Sequence, residues 1–315
     1  MTERVEPRVV WLNGAFVEQE AALVSVLSHG LHCGTGVFEG IRAYATDDGP
    51  AVFRHVEHLQ RLQRSAELIR MELPFSVEEV RAAIRRLIAV NRLDACYIRP
   101  LAFRGWGELG INPAVCPVEM AVAVWSQPVS FGGDHGLATI RTTVSPWRHG
   151  ERSLPAEAKV TGRYATAALA RVEAIERGFD EALLLTHSGH VVESAIENLF
   201  CVRDGALVTP PLGDEGPLPG ITRATAIELA EEDGIACAEA TLTLDDVLSA
   251  DEVFCTSTAG EIASVAELDG HRFDAPGPVT RRLHAAFREV VLGRDPRFRH
   301  WLDPVVRSEE PSLSR

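Results

Sequence analysis

Apolar and polar positions along this chain alternate with two different periods, and the changes of period mark out its elements. VVWLNGAFV reads as a hairpin, with Asn13-Gly14 supplying the positive φ angles of a tight turn. GIRAYATDDGPAVFR reads as a second hairpin, turning at Asp48-Gly49. In VEHLQRLQRSAELIRM the period lengthens, and Leu59, Leu62, Ala66 and Ile69 fall at helical spacing. Ser76-Val77-Glu78-Glu79 is a capping box that opens a further helix, with Val80, Ile84, Leu87 and Ile88 inward, running to about Asn91. CYIRPLAF and VEMAVAVWS then return to strand patterning. The second is nearly all apolar, which predicts a central position in a sheet.

QPVSFGGDHG (127–136) is rich in Gly, Pro and Ser and marks an interdomain linker, set at 128–137. Beyond it, ATIRTTVSPW is a strand, YATAALARVEAIERGF a helix, EALLLT a strand and SGH a turn. VVESAIENLFCVRDGALVTP reads as two more strands, and PLPGITRATAIELAEEDG as a loop running into a helix. ADEVFCTSTAGEIASV is a strand with a turn of small residues, and PGPVTRRLHAAFREVVLG closes the fold as a helix. The polar stretch 306–315 reads as a disordered tail. The class is α+β in two domains: a smaller α/β domain at 1–127, and a larger one at 138–305 with a barrel-like mixed sheet.

Composition narrows the partners. Hydrophobic residues make up 46% and charged residues 24%, ordinary for a globular protein. A net charge of -14 argues against nucleic acid and anionic membrane as main partners. The opening MTERVEPRVV lacks the apolar core of a secretion signal, and no apolar run is long enough to span a bilayer. Six scattered cysteines without a CxxC pair fit free thiols in a reducing cytoplasm. His29, His32 and Cys33 lie close in sequence, but no second ligand cluster accompanies them, so a hydrogen-bonded loop is expected and no metal.

Lysine changes the picture most. Of 31 basic residues, Lys159 alone is lysine. Arginine replaces lysine as a surface cation, but its guanidinium stays protonated and cannot serve as an exchangeable amine nucleophile. Lys159 is therefore a candidate Schiff-base residue, against the plain alternative of one surviving surface lysine. Such a lysine suggests pyridoxal 5'-phosphate (PLP), which needs an anion site, an acidic partner for its ring nitrogen and a donor for its phenolic oxygen. LPGITR opens a helix whose free N–H groups at Ile221 and Thr222 suit an anion, although it would also serve as an ordinary helix start. Thr256, Ser257 and Thr258 offer three hydroxyls in succession, and Arg61 projects from a well-patterned helix. Glu193 and Glu197 share one face if their segment stays extended, either buried with partners or facing solvent. Tyr164 lies five residues past Lys159.

Several long motifs in order carry a resemblance over about Trp11 to Asp303: SHGLHCGTGVFEGIRAY, FRHVEHLQRLQRSA, CYIRPLAF, LPAEAKVTGRY, ESAIENLF, PLPGITR and ADEVFCTSTAGEI. The chain resembles the class IV, fold-type IV PLP aminotransferases, and most closely the branched-chain amino acid aminotransferases. The resemblance implies that Lys159 carries PLP, Tyr164 hydrogen-bonds its phenolic oxygen and Glu193 pairs with its ring nitrogen. Arg61, Ile221, Thr222 and Thr258 would hold the phosphate, with Ser257 beside them. Backbone groups near Thr258 and Ala259, with Tyr97, would take the substrate α-carboxylate, and Arg99 the side-chain carboxylate of glutamate. Phe38, Gly40 and Arg42, with Leu109, Gly110 and Ile111, would line the substrate pocket. Part of that lining comes from a neighbouring subunit in this family, which implies a homodimer or an assembly of dimers.

The implied reaction is ping-pong transfer of the amino group from leucine, isoleucine or valine to 2-oxoglutarate. One pocket must then accept an apolar side chain and a carboxylate, which places Arg99 at a rim, since a charge fixed at the floor would reject leucine. Cys33, Gln127 and Ser130 depart from the more aromatic pattern of many relatives and bear on pocket width. D-amino acid transaminases, (R)-amine transaminases and an aminodeoxychorismate lyase are the alternatives within the class. Tyr97-Ile98-Arg99 and the ELGIN segment favour the branched-chain type.

Overall fold

The computed structural model describes residues 8–108, 110–128, 136–149 and 154–306. The chain divides into two compact units, one of Met1–Gln127, Ala158–Arg163 and Glu289–Arg315, the other of Pro128–Glu157 and Tyr164–Arg288.

In the first unit, strands β1 (Val9–Leu12) and β2 (Ala15–Glu18) form the expected hairpin. Its turn has φ of 48° at Asn13 and 91° at Gly14. A short helix α1 (His29–Cys33) precedes β3 (Gly36–Phe38), β4 (Ile41–Thr46) and β5 (Gly49–Phe53). Thr46 pairs with Gly49, so the second hairpin turns at Asp47-Asp48, one residue earlier than expected. Gly49 is instead the first paired residue, and its φ of 109° explains the glycine. Helix α2 (His55–Leu68) buries Leu59, Leu62 and Ala66 but stops before Ile69. Helix α3 (Val77–Val90) starts at the complete Ser76–Glu79 capping box and buries Val80, Ile84, Leu87 and Ile88. Strands β6 (Cys96–Arg104) and β7 (Val118–Trp125) pair antiparallel, and β7 lies inside the sheet between β6 and β1.

The second unit holds β8 (Ala138–Arg148), α4 (Tyr164–Glu176), β9 (Glu181–Leu185), β10 (Val191–Ser194), β11 (Asn198–Arg203) and β12 (Ala206–Thr209). There follow α5 (Ile221–Glu232), β13 (Cys237–Glu239), α6 (Leu244–Leu248), β14 (Glu252–Ser257), β15 (Glu261–Leu268), β16 (His271–Arg272) and α7 (Pro278–Val291). The ladder β10-β9-β8-β15-β14-β11 closes on itself because β10 also pairs with β11. It is the mixed barrel anticipated from sequence, with β8 parallel to both its neighbours. Ile140, Leu183, Leu199, Val253 and Val265 belong to its apolar core. VVESAIENLFCVRDGALVTP forms three strands rather than two. The extra break follows from a tight turn: Ser194 N–H donates to Glu197 O at 2.8 Å, and Glu197 N–H to Ser194 Oγ at 3.1 Å. Glu193 and Glu197 are therefore not on one extended face.

The last strand, β17 (Leu302–Pro304), pairs with β5 and returns the chain to the first sheet. Its Asp303 accepts from His55 Nδ1 at 2.7 Å and from Arg81 at 2.8 and 2.9 Å. Four cysteines are buried, Cys237 is half-buried and Cys33 is exposed; all six are free thiols. No described helix is long and apolar enough to cross a membrane.

Candidate active site

The lysine segment is stitched into the first unit on both sides. Lys159 N–H donates to Ser65 Oγ at 3.0 Å, and Phe38 N–H donates to Lys159 O at 3.1 Å. Thr161 Oγ1 donates to Gly34 O at 2.8 Å and accepts from Gly36 N–H at 3.1 Å. These bonds explain why Ala158–Arg163 groups with the first unit, although sequence order had set Lys159 in the second domain. A β-carbon on Gly34 would meet Gly162 Cα at 2.7 Å, so the two glycines permit the close approach of these backbones.

The Lys159 amine lies 5.2 Å from the centroid of the Phe38 ring, and the Arg99 guanidinium carbon lies 4.8 Å from the same point. Arg99 also lies near the rings of Tyr97 and Trp125, at 5.4 and 5.9 Å. It is half-buried, and its Nε is sealed from solvent with no hydrogen-bond partner. Tyr97 and Arg99 are two apart on β6 and so share a face. Gly40 lies against that face: a β-carbon there would stand 1.9 Å from Tyr97 Oη. Arg42, paired in register with Tyr97, donates to Gln127 O at 3.0 Å, and Gln127 Oε1 accepts from Trp125 Nε1 at 2.8 Å. Thus Phe38, Gly40, Arg42, Tyr97, Arg99 and Lys159 come together within one unit. Ile111 is 85% exposed, so the described chain does not enclose it. Leu109 and Ser130 lie outside the described residues. His29 and His32 bond to Thr35 Oγ1 and Val26 O, both at 2.7 Å.

Arg61 meets a residue that sequence reading missed. Its Nε and one terminal nitrogen donate to the two oxygens of Glu39 at 2.7 and 2.8 Å. His58 Nδ1 reaches the same carboxylate at 2.8 Å. Burial alone would raise the Glu39 pKa; the Arg61 charge and the hydrogen bonds from His58 and Arg61 outweigh it and hold the group well below the usual carboxylate range. Burial, aided by the charges of Arg61 and Lys159, lowers the pKa of His58 against the pull of Glu39. A neutral His58 facing an ionised Glu39 must carry its proton on Nδ1.

In the second unit, Glu193 Oε2 accepts from Asn198 Nδ2 and from Leu218 N–H, each at 3.2 Å. Its Oε1 lies 3.5 Å from Nε2 of buried His149, whose two ring nitrogens have no hydrogen bond. Asn198 Nδ2 also donates to Leu218 O at 2.9 Å, and a β-carbon on Gly220 would stand 1.9 Å from Asn198 Oδ1. Asn198 thereby ties Glu193 to the loop that enters α5. That helix has no side-chain cap, and the first of its N–H groups bonded within the turn is that of Ala224, to Gly220 O at 3.0 Å. Ile221 and Thr222 open it, leaving their N–H groups for an anion. Tyr164 is the first residue of α4. Thr258 and Ala259 form the β14–β15 turn. Ser257 Oγ donates to Glu197 Oε1 at 2.7 Å and accepts from Gly260 N–H at 2.8 Å, so its hydroxyl braces that turn. Glu39, His58, Asn198 and Ser257's bond to Glu197 were not assigned from sequence. A charged residue amid the buried FEGIRAY run was the available signal for Glu39.

Each unit holds groups of the kind a phosphorylated pyridine requires: an amine in the first, and in the second an uncapped helix start suited to phosphate and a carboxylate suited to a ring N–H. The comparisons agree. The sequence model of the amino-transferase class IV family matches residues 36–268. The chain belongs to this family. It is 41% identical over 300 residues to the branched-chain-amino-acid aminotransferase of Escherichia coli K12, covering 94% of this chain and 97% of that one. A crystal structure of the E. coli enzyme superposes with a TM-score of 0.92 at 40% identity, covering 96% of this chain and 100% of the other. The branched-chain amino acid aminotransferase of Thermobaculum terrenum, in its PLP form, gives 0.88 at 35% identity, covering 96% of this chain and 99% of the other. This class IV chain thus shares fold and length with enzymes named for branched-chain substrates.

Proposed function

We propose that this class IV aminotransferase moves amino groups between branched-chain L-amino acids (leucine, isoleucine and valine) and 2-oxoglutarate, using PLP carried on Lys159. Bound PLP supplies a carbonyl that condenses with amines and a ring that accepts the electron pair released at the substrate Cα. The chain's own residues do the rest. Arg61, the N–H groups at Ile221 and Thr222, and Thr258 hold the phosphate, with Ser257 bracing the turn. Glu193 accepts the ring N–H, and Tyr164 donates to the phenolic oxygen. The Lys159 amine, once displaced, moves the proton at the substrate Cα. Tyr97 and the Thr258–Ala259 backbone hold the α-carboxylate. Phe38, Gly40 and Arg42 line the side-chain pocket.

One observation carries the substrate reading. Arg99 and Lys159 both lie within about 5 Å of the centroid of one phenyl ring, and Arg99 keeps a desolvated donor without a partner. A buried unpaired donor costs free energy until an acceptor arrives, and a substrate carboxylate is such an acceptor. The aromatic rings around it offer an apolar surface for leucine. Exposed Leu23, Val24, Val26 and Leu31, with Trp106, Ile111 and Val115, support a homodimer that covers them. The six free thiols support a cytoplasmic setting.

The test is borohydride reduction of the PLP-loaded enzyme, followed by peptide mapping and a donor panel with 2-oxoglutarate. The pyridoxyl group should appear on the Lys159 peptide, and leucine, isoleucine and valine should lead the panel. A label elsewhere would remove the mechanism; a panel led by D-amino acids, (R)-amines or aminodeoxychorismate would replace the substrate.

A further inference from the structure

Glu39 sits between Phe38 and Gly40 at the end of β3, fully buried, with its N–H bonded to Pro100 O at 2.9 Å. We infer that Glu39 is a positioning residue whose carboxylate fixes the Arg61 guanidinium for the cofactor phosphate, an inference that rests on the PLP reading above. An arginine left to itself has a long flexible stem and a charge that is costly to bury. Glu39 removes both difficulties. It engages Nε and one terminal nitrogen together, which fixes the plane of the guanidinium. The direction in which the guanidinium presents its N–H groups is fixed with that plane. His58, one turn before Arg61 on α2, donates to the same carboxylate and stops it from rotating.

The burial of this pair is itself informative. An apolar pair of similar volume would serve stability as well or better, so an ion pair at this depth points to a placement role. Glu39 also neutralises Arg61 whether or not an anion is bound. The guanidinium is thus set in place before the phosphate arrives, and binding loses less free energy to ordering.

The experiment compares the affinity of the full-length chain, freed of cofactor, for PLP and for pyridoxal, which lacks the phosphate. The wild type should prefer PLP strongly. Glu39→Gln keeps the size of the side chain but loses its charge and one acceptor. It should lower the PLP-to-pyridoxal affinity ratio about 10- to 100-fold, the worth of one hydrogen bond to a charged group. Affinity for pyridoxal itself should stay within about 3-fold, a split that mere loosening of the fold would not give. In an Arg61→Ala background, adding Glu39→Gln should change the ratio less than about 2-fold. Where Glu39→Gln does not fold, judged by near-ultraviolet circular dichroism, Glu39→Asp is read by the same thresholds, because it keeps the charge and loses the reach. An unchanged ratio in the folded variant overturns the inference. A wild type that does not distinguish PLP from pyridoxal overturns the phosphate reading instead, so the two failures are separate.

Discussion

Replacing Arg99 with methionine tests the dual-substrate pocket most directly. The distances of 5.2 and 4.8 Å from one ring centroid place Lys159 Nζ and Arg99 Cζ no more than 10.0 Å apart. A glutamate side chain spans roughly 3.9 Å from Cα to Cδ when extended. A reacting contact adds roughly 3 Å at one end and a bidentate guanidinium–carboxylate contact roughly 4 Å at the other. The total, roughly 11 Å, is no shorter than that upper bound, so an extended or slightly bent glutamate is long enough to reach both cations at once. Leucine is shorter and would lie against the Phe38 and Tyr97 rings without touching the charge. Each hydrogen bond to a charged group contributes about 1.5–3 kcal/mol. Losing both should lower kcat/KM for glutamate and 2-oxoglutarate by roughly 10²- to 10⁴-fold. Arg99→Met has a similar stem length and keeps apolar contact with the rings, so kcat/KM for leucine should stay within about 3-fold. Steady-state half-reactions with each donor, followed by cofactor absorbance, separate the two effects. Parallel losses for leucine and glutamate would refute the argument and make Arg99 a support for Phe38 and Tyr97.

Two further outcomes concern stability. Glu252 accepts from Val279 N–H, Thr280 N–H and Thr280 Oγ1 at 2.9, 2.8 and 2.7 Å, capping α7 from β14. Glu252→Ala leaves the two buried Thr280 donors and the half-buried Val279 N–H unpaired and should cost about 2–4 kcal/mol in urea unfolding; a loss under about 0.5 kcal/mol would show that the cap is dispensable. Glu197 is pushed up to about 7, by burial first and by the nearby Glu181 charge second, against the Ser257 hydrogen bond and the Arg171 charge. A raised folded pKa means its stabilising contribution is complete below the ordinary value of 4.5 and is lost as pH rises through 7. Glu197→Gln should therefore be about 1–3 kcal/mol more stable than the parent at pH 8 and equal to it near pH 4.5. A gain of the same size at both pH values would contradict the assigned protonation.

Local chemistry was the legible part of this chain. Asn13-Gly14 dictates its turn, and the Ser76–Glu79 box satisfies N–H groups within four residues, so both are written where they act. The helix faces follow from spacing alone. What sequence hid is whatever depends on residues far apart. Ser65 holds the Lys159 backbone across 94 positions, and nothing near Lys159 announces it. Strands β13, β16 and β17 have three residues or fewer, too short for any period to emerge. The break between Glu193 and Glu197 depends on a Ser194 hydroxyl bond that periodicity cannot register. Among the site residues, Phe38, Tyr97, Arg99 and Lys159 were named in advance. Their assembly around one ring comes from strand register: Phe38 opposite Leu101 fixes where β3 crosses β6.

Buried carboxylates show why partners, not residue types, decide the chemistry here. Glu39 and Glu197 are both sealed from water, and burial pushes both toward the neutral form. Glu39 faces two α2 side chains, one of them a guanidinium held at two points, and so stays ionised. Glu197 faces a hydroxyl and a second buried carboxylate, Glu181, whose own charge is already engaged by Arg171 at 2.7 Å. It therefore keeps its proton up to about pH 7. An ionised Glu39 can immobilise a cation, while a protonated Glu197 can brace a loop without adding negative charge beside residues assigned to a phosphate. Exchanging the two charge states would weaken both tasks: a neutral Glu39 would leave Arg61 unbalanced, and an ionised Glu197 would repel an anion near Thr258. Each state follows from the opposing group, and the opposing group follows from the fold.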